Sequence, residues 1–220
     1  MTYLIALIFL FSSFSISNGK SENQNSKDQN ILTKQNSNKT MATNLDTAVF
    51  GAGCFWCVEA VFQRLKGVES IQSGYTGGSV DNPTYNQVSS GKTGHAEVAR
   101  IIYDPSVISF AELLEVFWTT HNPTTLNKQG ADEGTQYRSA IFYLNEDQKA
   151  VSEKSKSDVA PQIWDGNIVT EITQLEKFYV AEDYHQNYYN DNSNQSYCKF
   201  VINPKLDKFR KKFKDKLKDE

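Results

Sequence analysis

Residues 48–59 read Ala48-Val49-Phe50-Gly51-Ala52-Gly53-Cys54-Phe55-Trp56-Cys57-Val58-Glu59. Ala48-Val49-Phe50 is a short apolar run of strand character. Glycines follow it, and then Val58, Val61, Phe62 and Leu65 recur at helical spacing. Cys54 is thereby placed at or near the first turn of a helix. The unpaired N–H groups and positive dipole end of that turn stabilise a thiolate, the reactive form of cysteine. Phe55 and Trp56 are unusual for a solvent-facing turn and make sense as walls of a small apolar pocket beside the sulfur. From this window alone, a buried free cysteine among core aromatics reads equally well.

Working outward, the coarse order is strand 47–50, helix 54–65, strand 68–75, a long Gly/Asn/Pro loop over 76–94, and strand 96–103. Asp104-Pro105 breaks that strand, and Ser109 caps a helix carrying Leu113, Leu114, Val116 and Phe117. Strand 137–144, a helix 146–159 begun by Asn145, and strand 168–174 follow. The first six elements run β-α-β-β-α-β. That order predicts an α+β, two-layer ferredoxin-like sandwich with a mixed or antiparallel sheet, helices mostly on one face, and extra C-terminal elements. A structureless loop as long as 76–94 inside a compact domain is usually functional or disordered. Tyr75, Tyr85 and Glu97 flank it or sit in it.

At 220 residues, the chain is long enough for one well-buried domain with appendages. Its net charge of -3 gives no general pull toward nucleic acid or anionic lipid. Three cysteines are too few for a disulfide-stapled fold, and an odd count with a Cys-x-x-Cys spacing points to redox chemistry or metal binding. No second Cys/His pair stands at ligand spacing, so no metal is expected.

Leu4 to Ile16 is an apolar run of signal-peptide length, with small residues from Ser15 to Gly19 where a peptidase would cut. No Lys or Arg precedes it. Residues 1–19 are read as a signal peptide and the chain as exported, to the periplasm or cell envelope. The competing readings are an uncleaved anchor or a cytoplasmic protein starting at Met41. Residues 20–44, rich in Asn, Ser, Gln and Lys, read as a flexible polar linker. The catalytic domain is placed at 45–200. Leu206, Phe209, Phe213 and Leu217 mark an amphipathic basic helix over 201–220; residues 205–220 hold eight Lys/Arg against four Asp/Glu. Docking of this helix on its own domain is favoured over a membrane or partner surface.

Further motifs stand in order along the chain: Gly74-Tyr75-Thr76-Gly77-Gly78, Asn82-Pro83-Thr84-Tyr85, Gly91-Lys92-Thr93-Gly94-His95-Ala96-Glu97-Val98, Gly130-Ala131-Asp132-Glu133-Gly134-Thr135-Gln136-Tyr137-Arg138-Ser139, and Tyr179-Val180-Ala181-Glu182-Asp183-Tyr184-His185-Gln186. With the cysteine window, these resemble the peptide methionine sulfoxide reductase A family. The resemblance covers roughly Ala48 to Cys198. It implies reduction of methionine S-sulfoxide, peptide-bound or free, to methionine without a cofactor, and repair of oxidised proteins. It further implies Cys54 as nucleophile, Phe55 and Trp56 around the S-methyl group, Tyr85 and Tyr137 on the oxygen, and Glu97 as proton donor. Asp132 looks like the carboxylate that orders the site loop.

A neutral Glu97 requires a raised pKa, which burial among aromatics supplies. The alternating His95-Ala96-Glu97-Val98 pattern puts His95 and Glu97 on one strand face. Taken singly, Tyr85 and Asp132 read as turn residues, Glu97 as a solvated strand residue, and His121 and His185 as structural hydrogen-bonding groups. Glu59 is assigned no chemical step.

Attack leaves a sulfenic acid on Cys54 that condenses with a second thiol. Cys198 follows a polar, mobile-looking run and matches the family's resolving position. Cys57 lies one helical turn from Cys54, within disulfide reach, at a place where many members carry glycine. Cys198 is favoured as first resolver, with Cys57 and a Cys57-to-Cys198 relay left open. A thioredoxin-type dithiol is the expected reductant. The partners expected are oxidised proteins, free methionine sulfoxide and that dithiol, with no nucleic acid, and the chain is expected to be a monomer. The competing function is a thioredoxin-like disulfide oxidoreductase using Cys54 and Cys57.

Overall fold

The computed structural model describes residues 44–219; the proposed signal segment and all but the last residue of the proposed linker lie outside them. Eight strands and seven helices occur in the order β1 (Asp46–Ala52), α1 (Phe55–Phe62), β2 (Val68–Thr76), α2 (Tyr85–Ser89), β3 (Ala96–Tyr103), α3 (Phe110–Thr120), β4 (Lys128–Gln129), β5 (Asp132–Glu133), β6 (Ser139–Tyr143), α4 (Glu146–Asp158), α5 (Ala160–Ile163), β7 (Glu171–Gln174), β8 (Tyr179–Val180), α6 (Tyr188–Asp191) and α7 (Asn203–Lys212). Six strands form one mixed sheet in the order β7-β6-β1-β3-β2-β8. Every pairing in it is antiparallel except β6 with β7. The molecule is therefore α+β with a mixed sheet.

Period-two alternation explains how the sheet serves two layers. Ala48, Phe50 and Ala52 of β1 enter the main core, where Val58, Val61 and Phe62 of α1, Leu113, Leu114 and Phe117 of α3, and Leu206 and Phe209 of α7 meet them. Val49 points the other way, into a small cluster with Ala96, Val98, Ala140 and Phe142 that Leu175 and Phe178 cover. Phe50 sits at the centre of the larger layer, with ring centroids 5.6 Å from Phe62 and 5.1 Å from Phe117.

Local chemistry sets the element ends. Ser109 caps α3 in a reciprocal box: its hydroxyl accepts from Glu112 N, and the Glu112 carboxylate accepts from Ser109 N at 2.9 Å. Asn145 Oδ1 accepts from Gln148 N at 2.9 Å and opens α4. Loop 76–94 departs from its structureless reading. Thr84 and Gln87 form a second capping box, and five residues close into α2. The sequence pattern missed it because one and a half turns carry no amphipathic period, and Val88 alone is buried. The tail helix docks on its own domain; after α7, Leu217 bridges to Leu65.

Candidate active site

β1 ends at Ala52, and Gly53 takes φ +88°, where a side chain would strain the backbone and strike Gln129. This turn delivers Cys54 as the N-cap of α1, and its carbonyl accepts the first helical bond from Cys57 N at 3.0 Å. Seven of the eight α1 residues are buried, Trp56 being half-buried. The helix start thus lies beneath other structure rather than in water.

Glu97 comes from β3, opposite Tyr75 of β2, and is 1% exposed. Its Oε2 accepts from Phe55 N at 3.1 Å, so one of the unpaired first-turn N–H groups of α1 is answered by this carboxyl. Burial drives its pKa up to about 8, with the charges of Asp132 and Cys57 adding and the Phe55 hydrogen bond opposing. A carboxyl of that pKa carries its proton at neutral pH and is able to donate it.

Tyr85, the first residue of α2, and Tyr137, at the end of a 3-10 turn, are half-buried against the main core. Their hydroxyls feel the charges of both Glu97 and Cys54. Burial first, then Glu97, raises both; Tyr85 is pushed up to about 12. Both remain neutral O–H donors. Phe55 packs on Tyr75 at 5.8 Å and on His185 at 5.0 Å. Trp56 stacks on Tyr188 at 3.7 Å, the two rings nearly parallel.

The thiols differ from the sequence expectation. Burial, with the Cys57 hydrogen bond and charge behind it, pushes Cys54 well above the ordinary thiol value. The hydrogen bond from Cys54 lowers Cys57 to about 7 against the effect of burial. In the free protein, the dipole at the helix start does not prevail over desolvation at Cys54, and the two sulfurs share one hydrogen bond. The Tyr197 hydroxyl lies 3.8 Å from Cys57 Sγ and donates to Asp132 Oδ2 at 2.7 Å. Asp132 reaches it from the β4–β5 hairpin, whose Gly130 takes φ +65°.

Cys198 is fully buried, at the start of a π turn over Cys198–Ile202. The run before it is tied down: Tyr197 binds Asp132, and Tyr189 Oη donates to Asn203 Oδ1 at 2.6 Å. Burial and then the charge of Cys57 raise the Cys198 thiol, and the turn that carries Cys198 packs against α1. All three cysteines are free thiols.

The two histidine expectations part. His121 is a structural hydrogen-bonding group: Nδ1 donates to Phe117 O at 2.6 Å, Nε2 accepts from Ser139 Oγ at 2.7 Å, and burial holds its pKa down to about 3. His185, by contrast, is buried with no hydrogen-bond partner for either ring nitrogen. It packs by its faces, 4.4 Å from the Tyr85 ring. His95 does not join Glu97. The turn at Gly94, φ +74°, precedes β3, and the His95 ring accepts from Gly78 N and donates to Val80 O instead.

Sequence reasoning assigned no role to Tyr197, Tyr188, Tyr75 or Glu182. Glu59 also gains a place: its carboxylate accepts from Asn187 N and Tyr188 N at 2.8 and 3.1 Å, which seats Tyr188 against Trp56. For Glu182, Tyr188 and Tyr197 the one signal is the aromatic and polar density of 179–198. It carries no period from which a partner can be read.

Comparison with known proteins agrees with this constellation. The family model for peptide methionine sulfoxide reductase matches residues 46–217. The peptide methionine sulfoxide reductase MsrA of Chromobacterium violaceum is 52% identical over 176 residues, 80% of this chain and 100% of the relative. That of Saccharolobus solfataricus is 51% identical over 174 residues, covering 79% and 98%. Among solved structures, Mxr1 of Saccharomyces cerevisiae in its reduced form aligns with TM-score 0.67 and 33% identity over 70% of this chain and 89% of that one. Methionine sulfoxide reductase A of Corynebacterium diphtheriae aligns with TM-score 0.60 and 35% identity over 67% and 75%. The chain belongs to the peptide methionine sulfoxide reductase family.

Proposed function

We infer that this protein is an oxidoreductase that reduces methionine S-sulfoxide to methionine and so repairs oxidised proteins. The observation that carries the mechanism is the buried Glu97 carboxyl, its pKa raised to about 8, held on Phe55 N beside the Cys54 turn, with its charge felt by both Tyr85 and Tyr137. Sulfoxide oxygen accepts from the two tyrosines, and the S-methyl group lies against Phe55 and Trp56. Glu97 gives its proton to that oxygen as Cys54 sulfur attacks the sulfoxide sulfur. As the attack proceeds, Cys54 gives up its proton to the hydrogen-bonded Cys57 sulfur. The S–S bond so formed and the S–O bond at the methionine sulfur then break: the hydroxyl transfers to Cys54, which becomes a sulfenic acid, and methionine leaves with the freed electron pair on its sulfur.

Resolution runs as a relay. Cys57 sulfur attacks Cys54 sulfur and water departs. Cys198 then displaces Cys54 from Cys57. The packing of the Cys198 turn against α1, the helix of Cys57, supports this order over direct attack by Cys198. A thioredoxin-type dithiol then reduces the final disulfide, its own thiols becoming the oxidised pair. Asp132 acts through Tyr197 by holding that hydroxyl against the thiols. A plain thioredoxin-like disulfide exchange would use Cys54 and Cys57 but leave Glu97, Tyr85 and Tyr137 without work.

The central strands β6-β1-β3-β2, joined as β-α-β-β-α-β, support reading the core as a ferredoxin-like sandwich. The apolar N-terminal run supports export, with an envelope dithiol as reductant. The direct test is mass spectrometry after one turnover with methionine sulfoxide. One methionine per chain and a disulfide within the Cys54, Cys57, Cys198 set are expected; three unchanged thiols would refute the reading.

A further inference from the structure

Tyr85 stands at the N-terminal end of a five-residue helix inside a long loop, so something must fix its height above Cys54. The far end of α2 is held by Gln136 Nε2, which donates to Ser89 O at 3.2 Å, and by Thr135 Oγ1, which donates to Gly91 O at 3.1 Å. At the near end, the capping box uses Thr84 and Gln87 on each other. That leaves Tyr85 N as a first-turn donor without a local partner.

Glu182, 97 residues away in sequence, supplies one. Its Oε1 accepts from Tyr85 N at 2.9 Å, while its Oε2 accepts from the Tyr75 hydroxyl at 2.9 Å. Tyr75 is fully buried on β2, directly opposite Glu97. One carboxylate therefore couples the start of α2 to the strand pair that presents Glu97. The base of this bridge is firm. Gln186, four residues on, grips β2 at both backbone groups of Ser73, accepting from N at 2.9 Å and donating to O at 3.0 Å. Between them, His185 lays its ring on Tyr85.

We propose that Glu182 is a positioning residue for the sulfoxide-oxygen donor Tyr85, setting the Tyr85 hydroxyl relative to Glu97 through its bridge to Tyr75. The proposal rests on the reading of Tyr85 as that donor. Displacing a reacting group by about 1 Å costs up to about 100-fold in rate, so loss of the bridge is felt in the chemical step.

The test is a double-mutant cycle on the first-turnover rate of methionine release at saturating methionine sulfoxide. Glu182→Ala should lower that rate by about tenfold in the otherwise unchanged protein, but by less than twofold in a Tyr85→Phe background, where the hydroxyl it places is gone. Glu182→Gln should stay within about threefold of the parent, because its oxygen still accepts from Tyr85 N and its amide donates to the Tyr75 oxygen. Glu182→Asp keeps the charge but not the reach, and carries the same cycle if the alanine variant does not fold. An equal loss in both backgrounds, or no loss with a normal thermal midpoint, overturns the proposal. If Tyr85→Phe alone leaves the rate unchanged, the reading of Tyr85 falls, and the positioning role falls with it.

Discussion

Replacing Glu97 with Gln separates stability from catalysis. Glu97 titrates near 4.5 in an unfolded chain and near 8 in the native one, burial being the main cause. The native state then holds a proton that the unfolded state has released throughout that window. The Glu97 contribution to stability is fullest below about pH 4.5 and is lost as pH rises to about 8, at up to about 1.4 kcal/mol per pH unit. Across about 3.5 units the loss is on the order of 4–5 kcal/mol. Glu97→Gln has no such proton to hold, and its amide oxygen still accepts from Phe55 N. The assay is denaturant unfolding of the reduced protein at pH 5 and pH 8.5. The parent should lose several kcal/mol between the two relative to the variant, so that the variant is the more stable protein at pH 8.5. Its first-turnover rate should nevertheless fall by about 100-fold to 10,000-fold, the worth of a positioned general acid. Parallel stability curves would refute the reasoning. So would the opposite sign, which would mean that Phe55 N–H stabilises an ionised carboxylate with no proton to give.

The other predictions concern the thiols and the pocket. Cys54→Ser should abolish methionine release in the first turnover while leaving the unfolding transition in place. Under the relay, Cys57→Ser and Cys198→Ser should each release one equivalent of methionine and then stall with a thioredoxin-type donor; sustained turnover by Cys57→Ser would instead establish direct attack by Cys198. Because Phe55 and Trp56 fix the methyl group and Tyr85 and Tyr137 fix the oxygen, chiral chromatography should show consumption of the S epimer alone, and equal loss of both epimers would contradict that pocket.

Local periodicity and punctuation were enough to place β1, α1, β2, β3, α3 and α4, because each is long enough for its buried face to repeat. The caps at Ser109 and Asn145 needed only residues three apart, and the turn that delivers Cys54 is written in Gly51 and Gly53. Motif resemblance, rather than spacing, brought Glu97, Tyr85, Tyr137 and Asp132 to one site. What the chain alone did not carry was everything that depends on residues far apart becoming neighbours. α2 escaped notice because it is too short for a period, and His95 left its expected face because the backbone turns at Gly94. The helix start suggests a low thiol pKa at Cys54, but tertiary burial reverses that sign. The bridge of Glu182 to Tyr75 and Tyr85 and the seating of Tyr188 by Glu59 span from 97 to 129 residues. Hydrogen bonds and desolvation at such separations arise only once the sheet and helices have packed, and no pattern within a segment encodes them.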